Sequence, residues 1–151
     1  MKLIIILTTL TLLTTQAFAI TAPDCGEISY LRHVSYGEDK KISEGQDAGI
    51  KAWCAVLTGD KQTLSSMFHD STFPSAEKKE KYLNKMIGGL QKAKAKGVTG
   101  FFVYEVKGGP YDKDQFRVDV RIKFTDINGT TLGRDDVDMV HYEGQWFIRE
   151  F

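Results

Sequence analysis

Apolar residues recur at helical spacing from about Gly45 to Thr58, where Ile50, Trp53 and Leu57 form one stripe, and the pattern stops at Gly59–Asp60. Leu64, Met67 and Phe68 follow at i, i+3, i+4 and predict a short second helix to about His69. A third helix is predicted from Ser75, a natural N-cap, to Gly97, a natural residue just past a helix end. Glu77 and Glu80 lie near its positive end and Lys92, Lys94 and Lys96 near its negative end. After Gly97 the period changes to two, giving strands over "VTGFFVYEV", "QFRVDVRIKF", a third segment to Tyr142 and the closing "QWFIREF". Residues 20–44 read as irregular, apart from "EISYLRHVSY", which suits a short strand or a helical turn.

Two tight turns set the register. A loop at Asn128–Gly129 opposes Phe116 to His141, Val118 to Met139 and Val120 to Val137. A loop at Glu143–Gly144 opposes His141 to Trp146 and Met139 to Ile148. Opposed residues share a face, so both turns gather one apolar face, and the other face pairs Arg121 with Asp136 and Asp138 with Arg149. The expected fold is therefore α+β, with N-terminal helices packed on one face of a curved four-stranded antiparallel sheet.

The first 19 residues change the picture of compartment. Lys2, the apolar run Leu3–Leu13 and the small-residue ending "AFA" have the layout of a secretory signal, and the run is short for a membrane span. Pro23 and Asp24 before Cys25 do not suit a lipid-attachment box, so the expectation is a soluble periplasmic or secreted protein. It has a signal at 1–19, an irregular segment at 20–44 and one domain at 45–151. In an oxidising compartment two cysteines pair, and Cys25 with Cys54 would close a loop of about 30 residues. Basic and acidic residues balance at 20 each, and losing Lys2 leaves one excess acid, which gives no electrostatic reason to expect nucleic acid or a membrane surface as partner.

"AWCAVLTGD", "KGVTGFFVYEV", "FRVDVRIKFTDINGT" and "YEGQWFIREF", in that order, resemble the nuclear transport factor 2-like superfamily of cystatin-like cones, in its small exported branch of unknown function. The resemblance implies a curved sheet wrapped over helices, a pocket between them and dimers through the open sheet face. It implies no single activity, because such folds host enzymes and binding modules alike.

Candidate chemistry is sparse. The pocket expected of a cone draws on Trp53, Phe102, Tyr104, Phe116, His141 and Trp146, with His141 and Tyr104 as candidate proton-transfer residues. Asp135 points inward too, but six residues from His141 along the strand is roughly 20 Å, too far for a dyad. The histidines lack metal-ligand spacing, "RDDVD" with Asp126 lacks a calcium-loop pattern, and no cofactor motif occurs. On the outward face, Val140 and Phe147 are opposed, and Phe101 and Val103 are expected to join them inside a rim of Arg117, Asp119, Arg121 and Arg149. Three readings follow. The first is a non-enzymatic binding module, holding a small apolar ligand in the pocket or a protein partner, including a second copy, on the sheet face. The second is an isomerase- or dehydratase-like enzyme, and the third a periplasmic inhibitor or immunity-type protein.

Overall fold

The computed structural model describes residues 23–33 and 39–151; the expected signal lies outside them. Helix α1 spans Lys40–Thr58, α2 Lys61–Ser66 and α3 Ala76–Ala95. The strands are β1 Ser29–Leu31, β2 Gly100–Asp112, β3 Gln115–Thr125, β4 Thr131–Tyr142 and β5 Gln145–Glu150. They form one curled sheet in the order β1-β2-β3-β4-β5, with the helices on its concave side. Among the described residues, no helix is long and apolar enough to cross a membrane.

Each helix starts on a side chain that satisfies a free backbone N–H. Asp39 accepts from Lys41, Asp60 from Thr63 and Ser75 from Lys78. Helix α1 begins five residues before the expected Gly45, because Asp39 caps it there. Its C-terminus turns on Gly59 at φ 77°, a left-handed conformation that favours glycine.

The sheet departs from expectation in two ways: it has five strands, and it is mixed. The "SYL" of the N-terminal segment pairs parallel with β2, Tyr30 lying opposite Phe101. A parallel edge strand leaves no hairpin signal in the sequence, since its connection runs through the three helices. The expected β3–β4 and β4–β5 registers are observed except at Asp138, where a shift before Met139 sets Asp138 opposite Glu150 instead of Arg149, although the Arg149 side chain still reaches its carboxylate. The β3–β4 loop is nevertheless longer than two residues: Asp126 N–H donates to the carbonyl of Thr130, and Asp126 Oδ1 accepts from Asn128 and Thr130. A register shift between Phe124 and Thr125 then restores the pairing that a two-residue turn would have set.

The position of the helices follows from two glycines. A Cβ on Gly45 would stand 2.5 Å from Val118 Cγ2 and 2.8 Å from Trp146, and one on Gly49 would stand 2.8 Å from Val120 Cγ2. The first half of α1 therefore lies directly against β3 and β4 and leaves no room for a ligand. Beyond Gly49 the helix carries Trp53, whose bulk holds it off the sheet. The core lies in that widening space, where Ile50, Trp53, Leu57, Leu64 and Leu83 meet Val120, Ile122 and Val137.

The N-terminal segment is held by more than its disulfide. Cys25 and Cys54 are bonded, with Cα atoms 4.9 Å apart. Gln46, fully buried, accepts from His33 N–H at 2.7 Å and donates to His33 C=O at 2.9 Å. Arg32 pairs with Asp47 at 2.8 Å. Tyr30 stacks on Phe101 and donates its hydroxyl to Pro23 C=O.

Candidate functional site

The six residues expected to line one pocket separate into three places. Phe102 and Tyr104 lie on the outer sheet face, with the Lys123 ammonium over both rings at 5.4 and 5.0 Å. The expected parity of β2 fails because of a bulge at Tyr104: Phe101 and Val103 pair with Phe124 and Ile122, and after the shift Val106 pairs with Val120. Phe101 and Val103 are accordingly buried in the core and cannot serve on the outer face. Phe116, His141 and Trp146 do share the inner face, but beneath the first half of α1, with the Lys41 ammonium 5.5 Å from the Phe116 ring centre. His141 and Tyr104 thus stand on opposite faces of the sheet, and the expected proton-transfer pair is not assembled.

Trp53 lies at the other end of the concave face, where the space between helix and sheet opens. There a slot of about 350 Å³ runs between α3 and the sheet, lined by Trp53, Tyr82, Met86, Leu90, Asp135 and Phe151 among others. That size is at the lower end of the range for small-molecule sites. Trp53 forms the floor, 1% exposed, with Phe124 and Phe151 edge-on to it at 5.4 and 4.9 Å. Its indole N–H is buried and has no partner among the described residues. Such a donor loses its water without gaining a bond, which costs on the order of 1–3 kcal/mol.

Three titratable groups line the slot: Asp135, Tyr82 and Lys85. Loss of water around Asp135 raises its carboxyl above the ordinary aspartate value; the neighbouring Asp136 charge adds to this, and the Asp136 N–H bond opposes it. Burial likewise raises the Tyr82 phenol, helped by the charges of Glu150 and Asp135. The sign for Asp135 is that of a raised acid: between the ordinary value of 3.8 and its folded value the native state holds the extra proton, so stability falls as pH rises through that window. Asp135→Asn is therefore expected to stabilise the protein at about pH 7 and to lose that advantage by about pH 3, measured by urea unfolding at both. An equal effect at the two values would contradict the shift.

On the outer face, Val140 and Phe147 remain opposed as expected. The His69 ring stands edge-on to Phe147 at 5.1 Å, carried there by the segment after α2 as it passes the β5 edge. The Met67 carbonyl anchors that passage by accepting from Ile148 N–H. Arg121 turns away from Asp136 to Asp119 and Glu105, whereas Asp138, almost fully buried, takes both Arg149 and Arg117. No signal in the sequence placed His69 on this face, because α2 ends in an irregular passage with no periodicity to read. No group of three or more potential metal-ligating side chains occurs among the described residues.

Helices seated in the hollow of a curled sheet, with a slot open at one end, make this chain an α+β cone. It is similar to a solved structure described as a "Putative NTF2-like transpeptidase" from Campylobacter jejuni, at 16% identity and a TM-score of 0.47, covering 73% of this chain and 97% of that one. No family model and no curated protein matches the chain.

Proposed function

We propose that this chain is an exported binding module that takes a small, uncharged, apolar molecule into the slot between α3 and the sheet. The observation that carries the reading is the contrast along α1. Gly45 and Gly49 close one half of the concave face, and Trp53 with α3 leaves a slot of about 350 Å³ open at the other. Its walls are mainly aromatic and aliphatic, with Lys85 and Asp135 as the charged residues of the lining. The signal-like first 19 residues and the Cys25–Cys54 bond support the exported part of the reading.

The test uses 2-naphthol, a neutral bicyclic ring with one hydroxyl. Gly89 lines the slot, and a Cβ there meets nothing within 4 Å, so Gly89→Leu adds bulk at the slot without straining α3. Calorimetric titration is expected to show saturable binding to the native protein and at least about tenfold weaker binding to the variant, a difference of about 1.4 kcal/mol. Equal binding to both, or none to either, would remove the slot from consideration.

A further inference from the structure

A second cavity, about 410 Å³, lies on the opposite side of the sheet from the slot. Its apolar floor is Val140 and Phe147, and its walls are the rings of Tyr111, Tyr142 and His69. No acidic side chain lines it, and Arg149 is the one formally charged residue among those that do.

The charges beneath explain why Arg149 is available. Asp138 accepts from Arg117 Nε and Nη2 and from Arg149 Nη1, so a single buried carboxylate holds two guanidinium groups. The trio carries one net positive charge, which Asp119 offsets in part on the Arg117 side. Arg149 spends only Nη1 on Asp138, and no further hydrogen bond from its guanidinium is made among the described residues. The guanidinium centre is also 5.1 Å from the Tyr111 ring centre, a stack that holds its orientation. At the other wall, His69 Nδ1 lies 3.2 Å from the Ser71 N–H and 2.7 Å from the Ser71 hydroxyl, which hold the ring in place. Glu143 and Asp114 flank Tyr142, making that rim the acidic side of the cleft.

We propose that this cleft is a binding site for a small aromatic carboxylate. The aromatic ring lies over Val140 and Phe147 against the joined edges of His69 and Tyr142, whose ring centres are 6.0 Å apart, and the carboxylate lies at the Arg149–Tyr111 end, away from Glu143. Arg149 is the residue of choice there, because a planar guanidinium with free N–H groups matches carboxylate geometry. The site is independent of the slot between α3 and the sheet, which lies across the sheet from it.

The test is a titration with 3-phenylpropionate followed by the histidine ring protons in NMR, with 3-phenylpropanol as the uncharged control. The His69 signals are expected to shift saturably while those of His33 and His141 stay in place. The alcohol is expected to bind at least about tenfold more weakly. Arg149→Gln should weaken the acid by a similar factor; since it also removes one bond to Asp138, Gln115→Glu serves as a second variant, placing an acid in the lining without touching Asp138. No saturable His69 shift, equal affinity for acid and alcohol, or unchanged binding in both variants would each overturn the proposal. Because 2-naphthol binding is read separately through Gly89→Leu, the two sites can fail independently.

Discussion

Trp53→Ala is expected to cost about 3 kcal/mol, the low end of the range for deleting a buried aromatic side chain. The high end applies where the void stays dry and sealed. Here it opens into the slot, so water can fill part of it, and the variant also removes an indole N–H that is buried without a partner. Trp53→Phe separates these effects. It keeps the edge-on contacts with Phe124 and Phe151 and discards the N–H, so it should fall within about 1 kcal/mol of the native protein. Urea unfolding monitored on Trp146 measures both variants. A Trp53→Phe loss as large as that of Trp53→Ala would show that the N–H is satisfied in solution.

Replacing both cysteines with alanine is expected to lose about 3.5 kcal/mol, from the chain entropy restored when a loop of about 30 residues is opened. The damage should concentrate in residues 23–33. Those residues keep the Gln46 clamp on His33, the Arg32–Asp47 pair and the parallel β1 pairing, so they should remain docked but exchange their amide hydrogens faster than the core. Hydrogen exchange of the two forms, with unfolding free energies alongside, tests this. A loss below about 1 kcal/mol would mean that those non-covalent contacts already confine the segment.

The antiparallel half of the molecule was legible because its determinants are local. Alternation along β3 and β4, with the turns after Thr125 and Tyr142, specifies which residues face inward, and a compensating bulge at Phe124–Thr125 preserves that result although the loop is longer than two residues. Tyr104 shows the limit of such reasoning. A bulge inserts one residue without changing composition, and it exchanged the faces of Phe101 and Val103 with those of Phe102 and Tyr104. The parallel β1 and the path of His69 onto the outer face are long-range, set by contacts with β2 and by the anchor of Ile148 on Met67, which no local periodicity encodes. The site moved for a related reason. Gly45 and Gly49 read as ordinary helix positions until the sheet is placed beneath them, and only then does the open end of the cone fall at Trp53 rather than at His141.

The most direct test of a ligand slot at that end is to place the probe. Intermolecular nuclear Overhauser effects between 2-naphthol and the native protein should reach the Trp53 indole and the side chains of Met86 and Leu90, with none to Trp146. Contacts to Trp146 and Phe116 instead would put the ligand at the His141 end, and contradict the closure of that half by α1.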